Sequence, residues 1–271
     1  MRLLFCGDVV GRAGRDALKT HLPELRRDLG LDFVVANGEN AAGGFGITGK
    51  ICNEFFEAGV DVISGGNHSW DQREALEYIE REPRLLRPQN FPPGTPGRGA
   101  AVFDAGQGRK VLVLNVMGRL FMDPLGDPFA CVDTELAKHR LGGTVQAAIL
   151  DFHAEATSEK MAIGHYADGR VSLVVGTHTH VPTADTMILG GGTAYQSDAG
   201  MCGDYDSVIG MDKAVPIQKF TRKLPTERMA PAGGEGTFCG VFVETDDKTG
   251  LATRASPVRL GGKLQPILPQ R

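Results

Sequence analysis

Apolar and polar positions along this chain fall into a repeating block: a short apolar run, followed at once by a turn whose residues can bind a metal. Leu3 to Cys6 runs into Gly7-Asp8, Phe33 to Ala36 into Asn37-Gly38-Glu39-Asn40, and Val62 to Ile63 into Ser64-Gly65-Gly66-Asn67-His68. Ala147 to Leu150 leads through Asp151-Phe152 to His153, and Val171 to Val175 leads into Gly176-Thr177-His178-Thr179-His180. Apolar runs of this length closed by turn residues predict buried strands. Between them lie stretches with a helical period. Arg12 to Leu29 sets Ala13, Ala17, Leu18, Leu22, Leu25 and Leu29 on one stripe, with a kink expected at Pro23. Thr48 is placed to cap a helix running to about Ala58, closed by Gly59. Further helices are predicted over Trp70 to Glu80, near Val132 to His139, and over Ala154 to Tyr166.

In an open, mostly parallel sheet the carboxyl ends of the strands share one edge, and ligand sites form in the crevice there. The five polar clusters are therefore placed to converge on one site. Pro88 to Gly99, rich in proline and glycine, reads as a surface connection, because strand-like runs resume at Ala100 to Phe103 and Lys110 to Val116. From Thr186 onward the pattern reads as antiparallel: Met187 to Leu189 and Thr193 to Gln196 flank a glycine turn, and Thr237 to Thr245 pairs with Leu251 to Leu260. The expected fold is one α/β domain spanning residues 1–271, built of two packed mixed β-sheets flanked by helices.

The composition, 41% apolar and 23% charged over 271 residues, is that of an ordinary globular protein. A formal charge of -4 supplies no global basic field for a long polyanion, and leaves room for a small anionic substrate at a local positive site. The five cysteines, odd in number and without a C-x-x-C spacing, argue against a disulfide framework and a thiolate zinc site. They fit a reducing, cytoplasmic setting. No apolar stretch is long enough to span a bilayer, so no membrane partner is expected.

Two histidines separated by one residue just past a strand end can aim at adjacent metals, and neutral imidazole suits Zn, Fe, Mn or Ni. A binuclear site needs a bridging carboxylate, further nitrogen and oxygen ligands on each ion, and open positions for water and substrate. Asp8, Glu39, Asn40, Asn67, His153, His178 and His180 provide such a set. Other residues have plainer readings. His21, His139 and His165 fall in helical stretches as surface or packing residues, Cys6 as a small core residue, and Gly43-Gly44-Phe45-Gly46 as a flexible turn.

The order Gly7-Asp8, an acid after the second strand, Gly66-Asn67-His68, a lone His153 and Gly176-x-His178-x-His180 resembles the calcineurin-like metallophosphoesterases over about residues 3–180. Two positions depart from that family. Its Asp-x-His becomes Asp8-Val9-Val10, and its bridging Gly-Asp becomes Gly38-Glu39-Asn40. These departures, with the openings Gly7-Asp8-Val9-Val10-Gly11 and Ala36-Asn37-Gly38-Glu39-Asn40-Ala41 and the later Ser197-Asp198-Ala199-Gly200-Met201, resemble the YmdB-like bacterial phosphodiesterases over the full length.

The resemblance implies a four-layer metallophosphoesterase sandwich and hydrolysis of 2',3'- or 3',5'-cyclic nucleotides. It implies two transition-metal ions, iron first, with manganese or zinc as alternatives. Carried over by residue, Asp8, Glu39, Asn40 and His180 would hold one ion and Glu39, Asn67, His153 and His178 the other, with Glu39 bridging. An activated water would attack phosphorus, and His68, beside a ligand without being one, would protonate the leaving oxygen. The implied partner is a small phosphodiester, with RNA ends as a further substrate and homo-oligomerisation left open. Two other functions compete: a phosphatase or nuclease using the same centre, and a regulatory module that binds a metal-dependent ligand without turnover.

Overall fold

The computed structural model describes residues 1–222 and 224–270. The first half runs β1 (Arg2–Cys6), β2 (Asp8–Val9), α1 (Gly11–Asp28), β3 (Phe33–Asn37), α2 (Gly49–Ala58), β4 (Val62–Ser64), α3 (Ala75–Arg81), β5 (Ala100–Asp104) and β6 (Lys110–Met117). It continues with α4 (Pro128–Leu136), β7 (Ala147–His153), α5 (Thr157–Tyr166), β8 (Leu173–Thr177), β9 (Met187–Ile188), β10 (Ala194–Gln196), β11 (Met201–Cys202), α6 (Ala214–Arg222), β12 (Phe238–Thr245) and β13 (Ala252–Leu260).

One sheet has the order β13-β12-β1-β3-β4 and the other β5-β6-β7-β8-β10-β9, with β11 and β2 as a short separate pair. Strands β1, β3 and β4 run parallel, as do β6, β7, β8 and β10, so within each sheet these strands end on one edge. Alternation of side chains along each strand builds three apolar layers. Leu3, Phe5, Phe33, Val35 and Val62 of the first sheet meet Val111, Val113, Ile149, Leu173 and Val175 of the second. The opposite face of the first sheet, through Leu4, Val34 and Ile63, packs on Leu18 and Leu22 of α1 and Phe55 of α2. That of the second, through Leu114, Leu150 and Val174, packs on Val132 of α4 and Ile163 of α5. Each such large apolar side chain contributes roughly 1.5–3 kcal/mol on burial. The result is the expected helix, sheet, sheet, helix sandwich.

Local chemistry explains where the elements depart from the apolar pattern. Helix α1 continues through Pro23 as one element. Trp70 to Glu80 is helical only from Ala75, because turns closed by Ser69 N–H to Gly66 C=O and Asp71 N–H to His68 C=O use the preceding residues. Helix α4 starts earlier than expected and stops at Leu136, since Asp127 accepts from the amides of Phe129 and Ala130 and Pro128 occupies the first turn. Helix α5 starts at Thr157, after the residues that follow His153. Thr48 caps α2 through Ile51 N–H, and Gly59 closes it in the left-handed region, as the sequence predicts. The second half is only partly antiparallel. The β9–β10 and β12–β13 pairs are, but β10 lies parallel to β8 and continues its sheet.

Candidate metal centre

The strand ends gather the residues singled out in the sequence. Asp8 follows β1, Glu39 and Asn40 follow β3, Asn67 and His68 follow β4, His153 ends β7, and His178 and His180 follow β8. Ligand-type atoms of Asp8, Glu39 and His180 lie within 4.8 Å of one another, as do those of Glu39, His153 and His178, so Glu39 belongs to both triads. Asn67 Oδ1 stands 2.9 Å from His153 Nε2, which is 3.2 Å from Glu39 Oε1 and 3.1 Å from His178 Nδ1. Gly66 is required here for space, since a Cβ would collide with Glu39 Oε2 and His153 Nε2. His21, His139 and His165 lie outside this group, on or just beyond helices.

Neighbouring groups set the direction of each ligand atom. His153 Nδ1 is 2.9 Å from Thr177 Oγ1, whose hydroxyl donates to Asp151 Oδ1 at 2.7 Å, turning Nε2 inward. The other Asp151 oxygen accepts from Ser64 Oγ at 2.5 Å and Asn37 Nδ2 at 3.1 Å. His180 Nδ1 donates to the Ile209 carbonyl at 2.8 Å, leaving Nε2 toward Asp8. His178 presents Nδ1 to the cluster because Nε2 faces Glu155 Oε2 at 3.1 Å. Partners of this kind fix imidazole tautomers in metal sites.

The His-x-His turn is strained. His178 and His180 have φ of 92° and 65°, a region that costs a non-glycine residue on the order of 1–3 kcal/mol. Asp198 holds the residue between them, accepting from Thr179 N–H at 3.1 Å and its hydroxyl at 2.6 Å. Asp71, Asp151, Glu155, Lys160, Thr177 and Asp198 are supporting residues for which sequence reasoning assigned no role. Asp71 had a readable signal, three residues after His68 in a turn, and Asp198 stood in a quoted motif without a role; Asp71 Oδ2 lies 2.9 Å from His68 Nδ1.

Burial and crowding dominate the electrostatics. Burial pushes the Asp8 carboxyl up to about 7, against the opposing pull of His180 and His153. Burial also opposes ionisation of Glu39, but His153 and His68 outweigh it and hold this carboxyl well below its ordinary range. His153 is raised in turn: burial disfavours its imidazolium, and Glu39, Asp8 and Asp151 more than compensate. Burial and the charge of His153 drive His178 down to about 3. Burial raises Asp151.

Of the buried side-chain oxygens without a hydrogen-bond partner among the described residues, two lie in this cluster, Asp8 Oδ1 and Asn40 Oδ1. The Asn40 amide is oriented by its Nδ2, which donates to the Gly44 carbonyl at 3.1 Å. Asp8 Oδ1 stands 3.9 Å from both His153 Nδ1 and His180 Nε2, too far for hydrogen bonding. Buried carboxylate and amide oxygens left unsatisfied beside imidazoles are suited to cations. The donor set is oxygen and imidazole nitrogen, chemistry that fits metal ions. Among the described residues all five cysteines are free thiols, and no helix is long and apolar enough to cross a membrane.

A recess of about 280 Å³ opens on the cluster, lined by Glu39, Asn40, His68, His178 and His180 and by Phe45, Ile209, Met211, Phe220 and Met229 among others. The Gly43 to Gly46 loop is thus more than a turn: it delivers Phe45, whose ring meets His68 edge-on at 5.1 Å.

A family model described as YmdB-like protein matches residues 4–258. A Bacillus subtilis protein named 2',3'-cyclic-nucleotide 2'-phosphodiesterase is 47% identical over 254 residues, covering 94% of this chain and 95% of its own length. Among solved structures, a hypothetical protein of Thermus thermophilus superposes with a TM-score of 0.90 at 42% identity, over 97% of this chain and 100% of that one. A Mycoplasma pneumoniae protein described as a novel phosphatase gives 0.90 at 34% identity, over 96% of this chain and 93% of its own.

Proposed function

This chain belongs to the YmdB-like protein family, and from that premise we propose that it is a metal-dependent phosphodiesterase hydrolysing cyclic nucleotides, with the whole chain as one catalytic domain. The activity named for the Bacillus relative supports the substrate class. One observation carries the metal dependence: Asp8 Oδ1 and Asn40 Oδ1 are buried without partners among the described residues, beside a carboxylate common to two triads. Asp8, Glu39, Asn40 and His180 would hold one ion, and Glu39, Asn67, His153 and His178 the other. Iron suits these donors, as do manganese and zinc.

When bound, such a pair of cations lowers the pKa of a water and polarises the phosphoryl oxygens. The remaining chemistry falls to the chain itself. His68 lines the recess, and its backbone N–H, donating to Glu39 Oε2 at 3.0 Å, fixes it to the cluster. Asp71 occupies Nδ1, so Nε2 is the nitrogen that delivers a proton to the departing ester oxygen. Asp71 then acts by orientation: its carboxylate accepts from Nδ1–H, so a proton passed from Nε2 comes from the doubly protonated ring, whose charge Asp71 offsets.

The test is hydrolysis of 2',3'- and 3',5'-cyclic nucleotides and of a phosphomonoester by protein of measured metal content. Turnover of a cyclic diester that chelation abolishes and Fe(II) or Mn(II) restores is expected. A preference for the monoester would transfer the site to a phosphatase, and ligand binding without turnover would leave only a regulatory module. His68→Ala should lower turnover on a nucleotide diester by roughly 10²- to 10⁴-fold, and far less on a nitrophenyl diester, whose leaving group needs no proton. Equal losses on both would remove the proton-donor role.

A further inference from the structure

Phe45, Ile209, Met211, Phe220 and Met229, with Lys219 alongside them, meet the ligand cluster in a single recess. A phosphate held at Glu39, Asn40 and the histidines therefore has its organic part in contact with these side chains. We infer that this recess is a nucleobase subsite that accepts any base by stacking and apolar contact, without reading the base edge. The inference rests on the proposed diester chemistry and extends it to selectivity.

The backbone around the recess is largely occupied with itself. Val208 and Met211 exchange N–H to C=O bonds of 2.9 and 3.0 Å across a tight turn, with Ile209 and Gly210 at φ of 48° and 93°. The Ile209 carbonyl is engaged by His180 Nδ1, and Gly210 N–H by Ser207 Oγ at 2.8 Å. On the opposite side Phe45 N–H donates to the Ala42 carbonyl at 3.2 Å, and the Phe45 carbonyl accepts from Gln72 Nε2 at 2.8 Å. Reading a base edge requires donors and acceptors held ready for it. These backbone groups are spent on their own turns, and the side chains they present are apolar. What is offered to a planar ring is the two aromatic side chains Phe45 and Phe220 and a set of flexible, polarisable contacts, which bind bases with little regard to identity.

The turn also links the two halves of the site. One residue, Ile209, orients His180 with its carbonyl and lines the recess with its side chain.

Steady-state kinetics on the metal-loaded protein with the 2',3'-cyclic phosphates of adenosine, guanosine, cytidine and uridine, and with glycerol 1,2-cyclic phosphate, test the inference. The four nucleotides should agree in kcat/KM within about fivefold, and the base-free diester should fall at least about tenfold below them, through KM. Phe45→Ala and Met229→Ala should each reduce the nucleotide-to-glycerol selectivity about fivefold or more. Glycerol diester cleaved as well as the nucleotides, a base preference above about a hundredfold, or selectivity unchanged in both variants would overturn the subsite. If no diester is cleaved, the catalytic reading fails by itself. Calorimetric binding of adenosine and uridine 3'-monophosphates then decides the subsite: similar affinities that weaken in Phe45→Ala support it, and affinities unchanged by that substitution overturn it.

Discussion

Lys160 Nζ lies 2.8 Å from Asp198 Oδ2, and both side chains are buried, at 3% and 1% exposure. That same carboxylate oxygen accepts from the amide and hydroxyl of Thr179, while its partner oxygen accepts from Gly200 N–H at 2.8 Å. The pair thus pins α5, the His-x-His turn and the segment after β10 at one point. Strain at His178 and His180 persists only if the surroundings over-determine the turn, and this buried pair supplies much of that constraint.

Lys160→Met should destabilise the metal-free protein by about 3–5 kcal/mol, because it leaves the Asp198 charge buried without its cation. Denaturant unfolding of the chelated protein measures this. A loss within about 0.5 kcal/mol, the range of ordinary surface substitutions, would show that the turn is held by other means.

Asp8→Asn should act in the opposite direction on stability. Asp8 is fully buried and one of its oxygens has no partner among the described residues, so in the metal-free protein its charge is costly. The nearly isosteric amide should raise unfolding free energy by about 1–3 kcal/mol while lowering metal content. Chelated Asp8→Asn protein no more stable than the chelated parent would contradict this account of the orphaned oxygen.

Much of this was legible because the parallel strands write the site into the sequence as apolar runs with polar ends. The positions of Glu39, Asn67, His153 and the His-x-His follow from strand topology alone. The supporting residues were not legible, because Asp151 stands inside β7 among apolar neighbours and Lys160 inside α5, where a charge ordinarily signals a solvent face. Their role depends on sheet register: Asp151 pairs with Val175, two residues from Thr177. The recess wall was equally unread: Val208, Ile209 and Met211 lie at a short turn, and Pro216, Lys219 and Phe220 on α6, a helix that the sequence pattern was not read to contain. Asn40 was visible as an amide beside the acid; its orientation depends on the Gly44 carbonyl, which only the folded loop supplies.

Away from the centre, Asp32 carries a defined pH dependence. Burial acts to raise its carboxyl, but Arg109 at 2.7 Å and the backbone N–H of Arg2 at 2.7 Å outweigh that and hold it below its ordinary value. A depressed folded pKa stabilises fully above the unfolded value of about 4 and loses the contribution as pH falls through the lower folded one. Asp32→Asn should therefore cost about 1 kcal/mol near pH 7, with the difference from the parent fading as pH falls below the unfolded value. Denaturant titrations above and below that value check the sign, and a gap that widens in acid would refute it.

Glu39 and Asn40 are adjacent, yet their removal should have unequal consequences. Glu39 contributes to both triads, whereas Asn40 is oriented by Gly44 and, in the proposed ligand set, belongs only with Asp8 and His180. Glu39→Ala should therefore release both ions, and Asn40→Ala mainly one. Asn40→Ala also removes the donor to the Gly44 carbonyl, so it should cost about 1–3 kcal/mol if that acceptor stays unsatisfied, and loosen the loop bearing Phe45. Elemental analysis of variants shown by circular dichroism to be folded gives the counts, and Glu39→Gln, which keeps the shape while removing the charge, guards against a collapsed Glu39→Ala site. Retention of both ions in Glu39→Ala and Glu39→Gln would exclude the bridge, and equal loss in the Asn40 variant would mean that the two ions bind as one cooperative unit.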